Sequence, residues 1–141
     1  MRVLNLGKDA YRVSCDGIND ARPIKNGEVI YQGRARLCGL GTIPYYGFKM
    51  KMFPYAQTLN KRMHLRLTTI GPTSFIGNLL SIWRGTYEAE KNIFDFLVER
   101  IAIELPNRTA TQVGGDPQGA RTEFRARLSP FEVELLNFKT S

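Results

Sequence analysis

Histidine occurs once in this chain of 141 residues, tryptophan once and cysteine twice, and each scarcity removes a class of function. Cys15 and Cys38 are too few and too far apart for a disulfide framework or a four-ligand zinc site, so they read as two free thiols in a reducing compartment. Neither is flanked by the His or Asn that a cysteine nucleophile needs. The single histidine, His64, has no Cys, Asp or Glu at ligand spacing, which leaves a metal or acid–base role without support. Long apolar runs are also missing. The longest, Ser74 to Trp83, falls well short of the roughly 20 apolar residues that span a bilayer. The N-terminal MRVLNLGKDAYRV has no apolar run ending in a small-residue cleavage site, so a secretory signal is not expected and a cytoplasmic protein is.

Acidic residues are outnumbered, 13 against 20 basic, for a net charge of +7. Such a surface attracts phosphate whether it sits on nucleic acid, lipid headgroups or nucleotides, and it says nothing about fold. Like charges do not cluster into blocks, and no Pro/Gly/Ser tract points to disorder, so one folded domain over 1–141 is expected.

Alternation of apolar and polar residues dominates. Phe48, Met50 and Met52 alternate with Lys49 and Lys51, which predicts a strand with both lysines on one face. Met63, Leu65 and Leu67 oppose His64 and Arg66, placing the last two on a solvent-facing side; Phe124, Ala126 and Leu128 oppose Arg125 and Arg127. Phe131, Val133 and Leu135 repeat the pattern. Further strands are expected at Arg2–Leu6, Tyr11–Ser14, Glu28–Gln32, Arg34–Leu40, Val98–Leu105 and Ala110–Val113. Ser14–Gly27 is rich in turn formers and reads as a loop. In GPTSFIGNLLSIWRG the period changes: Phe75, Leu79, Ile82 and Trp83 recur at helical spacing, predicting one helix over about 73–84, capped by Thr73 or Ser74, ended by Gly85 and packed against or across the end of the sheets. The fold class is therefore mostly β, a sandwich or barrel-like domain of short antiparallel strands with one helix.

Two segments could carry a site. Gly114–Gly119 (GGDPQG) is turn-dense and lies between strands, so it reads as a β-hairpin loop; it lacks the Lys, the Ser or Thr and the following helix of a phosphate-binding P-loop. Asp116 within it could project into a site shared with another domain. From 34 to 66 the chain is basic, with Arg34, Arg36, Lys49, Lys51, Lys61, Arg62 and Arg66, and Tyr45, Tyr46, Phe53 and Tyr55 are interleaved. That mixture is what single-stranded nucleic acid or a lipid or membrane surface requires, and a solvated strand face over a core, the reading to which most weight falls, shows it as well. No RNP-type octamer, GxxG clamp or zinc-finger spacing is present, so nucleic acid is the least favoured partner.

Thr42 to Ala56, TIPYYGFKMKMFPYA, resembles the segment written roughly TPYYGGGMKIAPDA in the diacylglycerol kinase and sphingosine kinase-like lipid kinases. Downstream, Trp83-Arg84-Gly85 is similar to the end of the family's helix, and Val113-Gly-Gly-Asp-Pro-Gln-Gly119 to its VDGEPLG turn. Upstream, GEVIYQGRARLCGLGT resembles the strand pair before its Tyr-Tyr-Gly. The resemblance covers about 27 to 138. It implies the C-terminal, lipid-substrate domain of such an enzyme, β-sandwich-like, partnered by an N-terminal ATP-binding domain with a GGDGT motif that this sequence does not contain.

By resemblance, ATP and Mg2+ would enter only with that missing domain, and the isolated chain is expected to be inactive, whether it is a fragment or a stand-alone relative. Asp116 matches the family's glutamate and is the one candidate base, and only beside a partner domain. Gly114 stands where the family has an aspartate implicated in catalysis. Asn60, Lys61 and Arg62 stand where an acidic DDGLLD segment holds a metal site, so an acidic cluster has become basic. Lys49, Lys51, Lys61 and Arg62, with Tyr45 and Tyr46, become the candidate lipid- or phosphate-binding set, with no metal ligands. The alternative is a non-catalytic module, peripheral to a membrane, that binds anionic lipid through this basic face.

Overall fold

The computed structural model describes residues 1–87 and 91–131, without the side chains of Asp20 and Ala21. The strands are β1 (Arg2–Asn5), β2 (Ala10–Ser14), β3 (Gly17–Ile24), β4 (Val29–Gln32), β5 (Leu37–Gly41), β6 (Met63–Thr68), β7 (Ile93–Val98), β8 (Arg100–Val113) and β9 (Asp116–Arg127); two short helices, α1 (Pro72–Gly77) and α2 (Leu79–Arg84), lie between β6 and β7. They form a four-stranded sheet, β4-β1-β8-β9, and a five-stranded sheet, β3-β2-β7-β6-β5. Every pairing is antiparallel. The sheets do not close into a barrel, so the fold is sandwich-like. Among the described residues no helix is long and apolar enough to cross a membrane.

The core follows from the alternation. Met63, Leu65 and Leu67 of β6 and Phe96 and Val98 of β7 are buried in one cluster with Val3, Ile101 and Ile103 of the other sheet. Only Glu99 separates β7 from β8, so the chain changes sheets at a sharp corner. Glu99 is fixed there: its carboxylate accepts from Lys8 N and its carbonyl from Leu128 N, at 2.9 and 2.8 Å.

Several expectations need correction. The predicted Val98–Leu105 strand is divided, because Val98 ends β7 while the segment after the corner is the fourteen-residue β8, which also takes in Ala110–Val113. Ser14–Gly27 is largely strand: its turn formers serve a tight β2–β3 turn in which Ser14 pairs with Gly17. The single helix is two, interrupted at Asn78, whose side-chain amide donates to Ser74 O at 2.8 Å and competes with regular continuation. It starts at Pro72 with Gly71 as cap, where proline's missing N–H costs nothing, and ends as expected at Gly85 in the left-handed region. Neither helix buries a residue, in contrast to the packed helix expected.

Phe48–Met52 is not a strand. Tyr46 and Met50 pair across a tight turn with Phe48 and Lys49 both in the left-handed region (φ 57° and 59°). Pro44 and Pro54 bracket the segment and remove backbone donors that a longer ladder would need. Lys49 and Lys51 therefore do not share a strand face. Val133 and Leu135 of the last predicted strand lie outside the described residues.

Candidate functional site

The middle of the five-stranded sheet sets a row of residues: Gly39 of β5 opposite Arg66 of β6, and Arg66 opposite Asp95 of β7. Directly opposed side chains on one sheet face are within contact range. Arg66 binds Asp95 side-on, Nε to Oδ1 and Nη2 to Oδ2, both at 2.8 Å. His64, two residues along the same face, brings Nε2 to 2.8 Å from Asp95 Oδ1. Burial by itself would push the Asp95 carboxyl up, but hydrogen bonds and charge from Arg66 and His64 more than offset it and hold the group below the usual carboxylate range.

His64 and Arg66 are thus not solvent-facing: they are 0% and 8% exposed. The alternation assigned them correctly to the face opposite Leu65, but the chain between β5 and β6 folds back across that face. Phe53 and Tyr55 set their rings edge-on to His64, with centroids 5.8 and 5.4 Å away. Phe53 lies over β5, where a Cβ on Gly39 would stand 3.1 Å from its ring and one on Gly41 would overlap it. Glycine in a strand marks such close approach, so Gly39 and Gly41 were the available signal for a covering group. Asp95, 31 residues from His64, had no local signal.

Two cavities flank Arg66. The larger, about 920 Å³, runs around edge strand β5 and is walled by apolar side chains of both sheets, of 46–53 and of the helices, among them Leu40, Met52, Phe75, Ile82, Ile103 and Phe124. Among the described residues, its charged lining residues are Arg36, Arg66 and Arg125. Cys38, exposed to solvent on edge strand β5, also lines it. The smaller cavity, about 310 Å³, is as apolar as it is polar, lined by Val13 and Ile93 as well as by Ser14, Asn19, Tyr55, Tyr87 and the Arg66–Asp95 pair. Both volumes fall in the range of small-molecule sites, and a mostly apolar hollow with few polar groups is the usual form of one.

The sequence-predicted site residues do not converge. Arg36, Phe53, Tyr55 and Arg66 of the basic, aromatic region line these cavities; of the lipid- or phosphate-binding set Tyr46 does, where its hydroxyl accepts from Gln112 Nε2 at 2.9 Å and so ties the turn to the β8–β9 hairpin. Tyr45 and Lys49 are exposed on the segment around that turn, and Lys51 holds its backbone to Trp83 O at 2.9 Å. Lys61 sits in the left-handed region before β6. Arg62 is used internally, donating through Nη2 to Asp9 O at 3.2 Å and through Nη1 to Lys61 O at 3.0 Å. Asp116 pairs with Val113 across Gly114 and Gly115, so the expected hairpin turn is present and Asp116 stands exposed at its tip. Among the described residues, no three His, Cys, Asp or Glu side chains come together as a metal site requires. No family model, curated protein or solved structure matches the chain.

Proposed function

We propose that the chain is the lipid-binding domain of a diacylglycerol kinase-like enzyme, holding the hydrocarbon part of a lipid in the cavity around β5 and performing no phosphoryl transfer alone. The observation that carries this reading is the apolar cavity of about 920 Å³, too large and too oily to serve water or a small ion. The ordered resemblance over 27–138 supplies the enzyme class. ATP and Mg2+ would arrive with a nucleotide-binding partner domain, the phosphates being positioned by that domain and its metal. Asp116, at the hairpin tip, is exposed and available to such a partner. The setting is the cytoplasmic side of a membrane, from which the lipid is drawn.

Displacement of a fluorescent fatty-acid probe tests the cavity. Cys38→Trp, which places an indole in it, should abolish probe binding with the circular dichroism spectrum retained, while Cys38→Ser should bind normally. Equal binding by both variants would refute the reading. Incubated with diacylglycerol, ATP and Mg2+, the chain alone should show no turnover.

A second reading, docking on an anionic membrane surface, is favoured by one observation: Phe48, 91% exposed, shares a turn tip with Lys49. An apolar ring beside a cation suits the headgroup boundary. Here the surface is the turn rather than one face uniting Lys49, Lys51, Lys61 and Arg62. Sedimentation with anionic vesicles should weaken with salt and with Lys49→Gln.

A further inference from the structure

Apolar side chains are not spread evenly over the surface. Of the thirteen large apolar or aromatic side chains exposed among the described residues, nine fall within 43–48 or 75–83. The two segments are held together: Lys51 N donates to Trp83 O at 2.9 Å, and a Cβ on Gly85 would stand 3.0 Å from the Lys51 side chain. Ile76 and Leu80 are the most exposed apolar residues of the helices, at 73% each, and neither α1 nor α2 buries a residue. Leaving such a group of side chains in water is unfavourable, and exposed apolar patches of this kind mark a surface that meets a partner or a membrane.

Two observations select a membrane. The patch borders the larger cavity: five of the thirteen, Leu37, Tyr46, Phe75, Ile76 and Val113, also line it, so they stand at its rim. A protein seated on that rim would close the hollow, whereas a bilayer would bring hydrocarbon to its mouth. The second observation is charge. From Val29 to Tyr87 the sequence contains no Asp or Glu, a run that ends at Glu88, so the charges these segments carry are cationic: Lys49, Lys51 and Arg84. Lysine is depleted in protein interfaces but is attracted to anionic headgroups, and Trp and Tyr concentrate at headgroup level, as Trp83 and Tyr45 would here.

We propose that α1, α2 and the Phe48 turn form one docking surface for an anionic bilayer, with Phe48, Leu79 and Leu80 entering the headgroup boundary, Lys49, Lys51 and Arg84 facing lipid phosphate, and the larger cavity opening onto the membrane. The Phe48 turn is then one edge of a wider surface. Entry of a lipid through that opening rests on the lipid-cavity reading; the docking itself does not.

Trp83 is the chain's one tryptophan and is exposed within the patch, so it reports on docking directly. With the full chain and vesicles of phosphatidylcholine and phosphatidylglycerol, its emission should shift to the blue and be quenched by lipids brominated on the acyl chain. Affinity for these vesicles, measured by sedimentation, should fall at least about tenfold in the Leu79→Gln, Leu80→Gln double variant, the equivalent of one apolar side chain left in water. It should stay unchanged in Val29→Gln, an exposed apolar residue outside both segments. Leu79 and Leu80 are exposed and do not line the cavity, so the double variant should keep its circular dichroism spectrum and its binding of the fatty-acid probe. Vesicle binding without quenching of Trp83, or weakened as much by Val29→Gln as by the double variant, overturns the surface. Equal binding to phosphatidylcholine alone overturns the preference for an anionic bilayer. Absence of vesicle binding overturns the proposal, and a dimer in ultracentrifugation that the double variant dissociates would put a second copy on the patch instead. Cys38→Trp separates the two readings: it should lose the fatty-acid probe and keep the vesicles, whereas a chain that binds vesicles but never the probe overturns the cavity reading and leaves the docking standing.

Discussion

The two faces of β6 are buried by different means. Met63, Leu65 and Leu67 are covered by the other sheet, hydrocarbon on hydrocarbon. His64 is covered by Phe53 and Tyr55 from the chain's own segment between β5 and β6, and both it and Arg66 hydrogen-bond to Asp95 on the next strand. The first face tolerates approximation, since hydrophobic residues of about the right volume fill such a core. The second does not, because a buried charge without its partner is costly. The polar face also adjoins both cavities through Arg66, so the demanding half of the strand is the half that borders the candidate site.

The largest expected effect breaks that polar face. Asp95→Ala leaves Arg66 and His64 buried and uncompensated and should cost about 3–5 kcal/mol in urea unfolding. Leu65→Ala on the opposite face should cost somewhat less, about 3 kcal/mol, as a cavity with no charge in it. A Leu65→Ala loss well above the Asp95→Ala loss would show that the triad is not held as described. Acid probes the same contrast without mutation. The Asp95 carboxyl is depressed in the folded state, so its contribution is complete above the unfolded value of about 4 and is lost as pH falls through the folded value. Stability should therefore decline below about pH 4, and Asp95→Asn should flatten that decline while Leu65→Ala should not.

A smaller effect comes from lifting the cover. Gly41→Ala brings a methyl group into the Phe53 ring, and overpacking of this kind costs about 1–3 kcal/mol. The Gly41→Ala, Phe53→Leu double variant should recover part of the loss, a coupling measurable in a double-mutant cycle. Additive losses would mean that Phe53 does not rest on β5.

What the sequence made legible has the same division. The alternation of 63–68 assigned each residue to its proper face, and the Gly114–Gly115 turn and the Gly85 helix end were readable from local backbone chemistry. These depend on neighbours in the chain. Which face meets water depends on whether a distant segment lies across it, and period-2 patterning carries no such information. His64 therefore read as solvent-facing while it is fully buried. The cavities were invisible for the same reason, being walled by residues from β2 to β9. Basic residues chosen for charge and proximity in sequence were scattered by the turn at Phe48–Lys49 and by the internal use of Arg62.

The smallest expected effect sharpens the comparison by repeating the chemistry in water. Arg125 Nε meets Glu123 Oε1 at 3.0 Å, a distance close to that of the Arg66–Asp95 contacts, yet these side chains are 73% and 55% exposed. Solvent screens the pair, and the freedom lost in holding it offsets most of the attraction. Glu123→Gln should therefore change stability by no more than about 0.5 kcal/mol, against the several kcal/mol expected at Asp95. The salt dependence should divide them as well: added NaCl should erase what little Glu123 contributes and leave most of the Asp95 difference, because a buried pair is screened much less than one in water. If Glu123→Gln proved as costly as Asp95→Ala, burial would not be what separates the two pairs, and the importance assigned to the covering segment would have to be withdrawn.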